Sequence, residues 1–112
     1  MITVSIVTVG MNHKKFVNAL YSSLYEEYTP AIDFEAIYID NCSTDGSVDF
    51  LKEHYPLVRI IQNTEPLGFG ENNNKGVMAS VGKYIAIINP DIILQNNSID
   101  EIYCKLEETK EN

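Results

Sequence analysis

Two hydrophobic periods alternate along this chain, and they predict alternating strands and helices. Residues 4–9 are dense in Val and Ile and read as a strand. Asn12 is then positioned to cap a helix running to about Tyr28. In that helix Phe16, Leu20 and Leu24 recur every four residues with Val17 beside them, and Pro30 supplies a stop. Residues 34–39 form a second strand. Ser43 or Thr44 can cap a helix that buries Val48, Leu51 and Tyr55. Residues 57–61, preceded by Pro56, read as a third strand. The turn formers of residues 63–70 lead into a helix to about Val81 that buries Val77, Met78 and Val81, with Gly82 as its C′ residue. Residues 84–88 are a fourth strand, and residues 92–94 a short extra one. A last helix starts at Asn97 or Ser98 and buries Ile99, Ile102, Tyr103 and Leu106, and residues 107–112 fray.

The order β-α-β-α-β-α-β-α implies an α/β, Rossmann-like fold: a mainly parallel sheet of about four strands with helices on both faces. Right-handed crossovers place every strand's carboxyl end on one edge, where open parallel sheets bind their ligands. The loops at residues 9–12, 40–45 and 89–91 should meet there. No repeat or linker interrupts the 112 residues, so one domain is expected.

Charge narrows the partners. Sixteen acidic residues face eight basic ones, a net charge of −8, and Arg59 is the only arginine. Nucleic acid is excluded, because neutralising its backbone needs clustered Lys and Arg. A phosphorylated ligand would depend on a divalent cation or on helix N-termini. No apolar run approaches a membrane span and no signal peptide is legible. The cytoplasm is the expected compartment, with the inner face of the membrane as a further setting. Cys42 and Cys104 have no metal or redox spacing and read as free thiols. His13 and His54 are isolated and read as ordinary surface or helix residues.

Three stretches carry candidate chemistry. Asp40 ends the second strand and opens Asp40-Asn41-Cys42-Ser43-Thr44-Asp45-Gly46-Ser47. It either accepts a hydrogen bond from a nucleotide base or ribose, or belongs to a capping cluster, although it lies early for a cap. Asn89-Pro90-Asp91 ends the fourth strand. Its two side-chain oxygens suit a hard cation such as Mg²⁺ or Mn²⁺, and the same triplet is good turn chemistry. Gly68-Phe69-Gly70-Glu71-Asn72-Asn73-Asn74-Lys75-Gly76 opens the third helix. It fails as a dinucleotide fingerprint, because it follows the third strand and has Asn73 where the third glycine belongs. It is either a tight helix entry whose Asn residues face the ligand edge, or a plain loop. A receiver-type phosphoacceptor domain built on Asp40 would need further acids after the first strand, and residues 10–12 supply none.

In this order, Val4-Ser5-Ile6-Val7-Thr8, the Asp40 to Ser47 stretch, Leu67-Gly68-Phe69-Gly70 with Asn73-Asn74-Lys75-Gly76, and Asn89-Pro90-Asp91 resemble the N-terminal half of a family 2 inverting glycosyltransferase of the GT-A fold. The wording is similar to the rhamnosyltransferase-like branch of polysaccharide biosynthesis, and the resemblance covers residues 1 to about 94. It implies that Thr8 and Val9 line a nucleotide pocket, partly through backbone groups, and that Asp40 binds the base of a UDP- or dTDP-sugar. It places Gly68, Gly70, Asn74 and Asn89 at the sugar-nucleotide pocket, and implies that Asp91 reaches Mn²⁺ or Mg²⁺ on the diphosphate. Asn89 stands where many members carry an Asp, and an amide is a weaker cation ligand. Val9-Gly10-Met11-Asn12 replaces the usual aromatic-Asn stretch.

No carboxylate after Asp91 sits in a general-base motif: Asp100, Glu101, Glu107, Glu108 and Glu111 fall on a surface helix and tail. The resemblance therefore implies a truncated, donor-binding half that is inactive or feeble alone. Its uncovered sheet face or edge favours a homo-oligomer. The competing expectation is a noncatalytic remnant module that acts in oligomerisation or partner binding.

Overall fold

The computed structural model describes residues 1–95 and 98–110, the side chains of 109 and 110 excepted. Four strands, β1 (Val4–Gly10), β2 (Phe34–Asp40), β3 (Arg59–Gln62) and β4 (Tyr84–Ile87), form one sheet in the order β3-β2-β1-β4. Every pairing is parallel. The two central strands, β1 and β2, are buried along most of their length, as strands covered on both faces must be. The register sets Gly10 beside Asp40 and Asp40 beside Gln62, so three strand ends align on one edge.

The faces are covered unequally. Helices α1 (Lys14–Ser22), α2 (Ser47–His54) and α4 (Ser98–Lys110) share one face. There Val17, Leu20, Tyr21, Leu24, Leu51 and Ile99 pack with Ile6, Ala36 and Tyr38 in the main core. Helix α3 (Phe69–Ala79) covers Val7, Ile37 and Ile39 on the other face. It lies close because Gly76 faces β1, where a Cβ would overlap the Val7 side chain. Along β4, Tyr84, Ala86 and Ile88 point to the main core, whereas Ile85 and Ile87 are exposed on the α3 side.

Several elements depart from their periodic reading. The first helix buries Val17, Leu20, Tyr21 and Leu24 and leaves Phe16 exposed. It does not continue as an α-helix to Tyr28: α1 ends at Ser22 and a π-helical turn covers Ser23–Glu27. The Ser23 hydroxyl donates to the Leu20 carbonyl at 2.6 Å, and the Tyr28 amide reaches back to the Ser23 carbonyl at 2.8 Å. Ser23 Oγ also accepts the Leu94 amide at 3.0 Å. That bond uses the Leu94 backbone, and residues 92–94 form no extra strand.

The third strand starts two residues late, because a Tyr55–Val58 turn around Pro56 leaves Leu57 79% exposed. Val77, Met78 and Val81 are exposed, because α3 turns its small and amide side, Asn72 and Gly76, to the sheet. Ile102 and Leu106 of α4 are likewise exposed. The N-cap position of α1 is His13, and Asn12 serves another purpose described below. Gly82 is no left-handed cap: it lies against Ser5, where any Cβ would collide. Asn97 and residues 111–112, which include Glu111, fall outside the described residues.

Candidate functional site

At the carboxyl edge, short polar side chains hold the loops by replacing backbone partners. Asn12, with φ of 58°, accepts the Thr44 amide on Oδ1 at 2.7 Å and donates its own amide to Ser43 Oγ at 2.9 Å. Asp45 spans the same gap. Its carboxylate accepts the Lys14 amide at 2.9 Å and the Ser47 amide at 3.0 Å, which are the first residues of α1 and α2. One anion thus serves two helix N-termini. Burial opposes its ionisation, but the amides of Lys14 and Ser47 outweigh this and hold the carboxyl below its usual range. Ser43 and Thr44 are therefore inter-loop partners, and the N-cap position of α2 is Gly46 at φ of 83°.

Asp40 is 3% exposed. Its Oδ2 accepts the Ser43 amide at 3.0 Å, while the buried Oδ1 has no hydrogen-bond donor among the described residues. The carboxylate borders a hollow of about 340 Å³ that Ser47, Lys52 and Gln62 also line.

A second set of amides fixes the entry to α3. Asn41 holds both backbone groups of Leu67, accepting its amide at 2.9 Å and donating to its carbonyl at 3.1 Å. Asn63 donates to Asn41 Oδ1 at 3.0 Å and to Asn72 Oδ1 at 2.7 Å. Asn72 returns a bond to the Leu67 carbonyl at 3.2 Å, and Lys75 donates to Asn63 at 2.8 Å. Asn72 is 1% exposed, so these bonds replace the water that its amide would otherwise need.

Between α3 and β4 opens a second hollow of about 300 Å³, lined by Val9, His13, Phe69, Asn73, Asn89, Pro90 and Asp91 among others. The Ile92 amide closes a turn on the Asn89 carbonyl at 3.2 Å, which leaves the side chains of Asn89 and Asp91 exposed. No group of three or more His, Cys, Asp or Glu suited to a metal occurs among the described residues. One carboxylate with a neighbouring amide fits a cation whose shell is completed by ligand phosphates, the usual manner of Mg²⁺.

The structure brings Val9, Asn89 and Asp91 to this cleft and sets Asp40 in the separate hollow, with β1 between β2 and β4. Thr8 is fully buried, its hydroxyl beside the Tyr21 phenol, and it lines neither hollow, so the structure does not bring it to the candidate site as the sequence expected. Burial pushes that phenol far above its ordinary range, the Thr8 hydroxyl opposing the shift. Gly68 and Gly70 are exposed at the start of α3, and open space surrounds the Cα of Gly70. Asn74 is exposed and lines neither hollow, whereas its neighbour Asn73 lines the cleft. Sequence reasoning missed the Asn41, Asn63 and Asn72 clamp and the placement of His13. The available signal was the recurrence of Asn at strand ends and within a helix's first turns.

Comparison with known proteins agrees with this geometry. The model of the family "Glycosyl transferase family 2" matches residues 5–112. A poly(ribitol-phosphate) beta-glucosyltransferase of Bacillus spizizenii is 32% identical over 92 residues, covering 79% of this chain and 14% of that protein. The crystal structure of Staphylococcus aureus TarS 1-349 with UDP-GlcNAc superposes with a TM-score of 0.85 at 19% identity, over 96% of this chain and 32% of that one. The mannosyltransferase PcManGT of Pyrobaculum calidifontis, solved with GDP-Man and Mn²⁺, gives a TM-score of 0.75 at 20% identity, over 93% and 31%. These likenesses establish the GT-A fold. The chain spans 14% to 37% of the length of the curated relatives it matches.

The Asp45 bridge yields a pH-dependent expectation. Asp45→Ala should destabilise the fold by about 1–2 kcal/mol at neutral pH, the scale of a lost cap. Because the folded carboxyl titrates below its unfolded value, its contribution is complete above about pH 4. It fades as the pH falls through the lowered folded value. Urea melts of both proteins should converge in strong acid; a gap that does not depend on pH would remove the ionic part of this account.

Proposed function

The chain belongs to glycosyl transferase family 2, and from that premise we propose that it binds a UDP- or dTDP-sugar, with Mn²⁺ or Mg²⁺ on the diphosphate, for inverting transfer to a hydroxyl acceptor. The observation that carries this reading is Asp40 Oδ1, a buried acceptor without a donor among the described residues. Leaving such a group unpaired costs about 1–3 kcal/mol or more, and the imino N–H of a uracil or thymine base would satisfy it. Asp91 and Asn89 then lie on the other side of β1, where a cation would join them to the diphosphate. With a cation held there, Asp91 and Asn89 would supply the site at which negative charge developing on the leaving diphosphate is stabilised. The wording around Gly68-Phe69-Gly70 and Asn89-Pro90-Asp91 favours a rhamnosyltransferase-like donor, and a role in polysaccharide synthesis at the cytoplasmic face of the membrane suits it. No helix among the described residues is long and apolar enough to cross a membrane.

The acceptor's proton needs a base, and the carboxylates whose partners are visible after Asp91 are engaged elsewhere. Asp100 accepts the amides of Ala31 at 3.0 Å and Ile32 at 3.3 Å, just before β2, and Glu107 pairs with Lys83, just before β4. Both contacts lie at the amino edge of the sheet. The proposal is accordingly donor binding by these residues, with feeble acceptor transfer on their own. A noncatalytic module is the second reading. Exposed Ile85 and Ile87 beside the outer edge of β4, with Met78 nearby in sequence order on the same side's helix, favour self-association. A stable oligomer that binds no nucleotide would support it.

Three outcomes are expected. Calorimetry should show UDP or dTDP binding, weakened by Asp40→Ala by roughly 1.5–3 kcal/mol, the scale of a charge-assisted hydrogen bond. Equal affinities would remove Asp40 from the site. EDTA and Asp91→Ala should each lower affinity for the nucleoside diphosphate while sparing the nucleoside, and Asn89→Asp should tighten the metal. Diphosphate affinity that ignores metal would shift the anion to the start of α3. Finally, incubation with Mn²⁺ and a panel of UDP- and dTDP-sugars should release nucleoside diphosphate slowly and form no glycoside above background. Absence of general-base help alone costs about 10²–10⁴-fold in rate. Robust acceptor-dependent transfer by the monomer would overturn that expectation.

A further inference from the structure

We propose that His13 is a diphosphate-binding residue, donating its Nε2–H to a phosphate oxygen of the nucleotide held in the Asp91 cleft. The inference rests on the nucleotide reading above and assigns a role to a side chain that the sequence motifs do not single out. Three observations lead to it.

The first is the shortage of donors. The cleft is lined by Val9, Phe69, Asn73, Ile87, Ile88, Asn89, Pro90 and Asp91 besides His13. Among these described residues only the His13 ring and the amides of Asn73 and Asn89 offer side-chain N–H donors, and Asp91 by itself repels an anion. A metal can join Asp91 to a diphosphate, but the remaining phosphate oxygens still require donors.

The second is the ring's orientation. His13 Nδ1 accepts the Met11 amide at 2.9 Å. An imidazole nitrogen that accepts cannot carry the proton, so the neutral ring holds it on Nε2. The loop thus fixes the tautomer, and the ring rests near Phe16 with centroids 6.0 Å apart. Nε2–H is left as a donor in a ring already held in place.

The third is position. His13 immediately precedes α1, the helix that begins at Lys14 and is tied to α2 through Asp45. It is half-buried in a loop that Asn12 anchors to Ser43 and Thr44. A donor on so constrained a backbone loses little freedom when it meets a ligand.

Two substitutions separate the ring's two duties. Asn places a polar atom near the Nδ1 position and can keep the Met11 bond, but it lacks the outer donor. Gln reaches the Nε2 position. UDP and uridine would be titrated by calorimetry in Mg²⁺ against wild type, His13→Asn and His13→Gln, with Mg²⁺ alone as a control. The nitrogen-bound proton of His13 would be followed by NMR. The expected result is a ten- to hundredfold loss of UDP affinity in His13→Asn, the effect of one hydrogen bond to a charged group. Uridine affinity should stay unchanged, His13→Gln should remain within about tenfold of wild type, and the Nε2–H resonance should move with UDP but not with uridine.

Equal UDP affinity in wild type and His13→Asn, with uridine still bound, would overturn the His13 assignment and leave the nucleotide reading intact. Parallel losses of UDP and uridine would make His13 a loop support only. Weaker Mg²⁺ binding without nucleotide would make it a metal ligand. Failure of wild type to bind either uridine or UDP would overturn the nucleotide reading and this inference together.

Discussion

A parallel sheet ends its strands together, and at that edge the backbone loses its ladder partners just where loops must stay ordered. This chain meets the constraint with amide side chains. Asn41 occupies both backbone groups of Leu67, much as a neighbouring strand would. Asn63 and Asn72 extend the arrangement inward until α3 is tied to the ends of β2 and β3. The ligand edge depends on this clamp because Phe69 and Asn73, which form one wall of the Asp91 cleft, have their positions set by where α3 begins. Buried amide networks stabilise when fully satisfied and are costly when partly satisfied, so the clamp works as a unit.

The second organising feature is the unequal covering of the sheet. One face carries three helices and an aromatic cluster in which the Tyr21 ring lies 5.9 Å from Tyr55 and 6.4 Å from Tyr38. The other carries α3 alone, seated closely through Gly76. The apolar residues that α3 and β4 leave outside, Met78 at 86% and Ile87 at 47% exposure, lie towards the thinly covered side. The curated relatives, of which this chain spans 14% to 37%, have ample further chain with which to cover such a face.

On the proposed reading, electrostatics divides the ligand edge into two functions. Asp40 is buried, half-satisfied and separated from Asp91 by β1, which suits recognition of a neutral base through a single N–H. Asp91 is exposed and paired with an amide, which suits a hydrated cation that arrives with its phosphates.

The sequence by itself determined the order of elements, the parallel sheet and the edge on which Asp40, Asn89 and Asp91 lie. Those follow from local periodicity and from the handedness of crossovers, which need no partner to be specified. Helix faces and ends were decided by tertiary structure. Phe16, Val77 and Ile102 fit a helical period yet face outward, because a period names a stripe without naming what is there to cover it. The π-helical turn arises from Ser23, whose hydroxyl is held between Leu20 and the distant Leu94. The clamp joins Asn41, Asn63 and Asn72, and the cleft joins His13 to Asp91, across separations that no local pattern spans. Asn63 and His13 read in sequence as loop and surface residues. Only the folded chain decides which of their polar atoms are taken by the protein and which remain for a ligand.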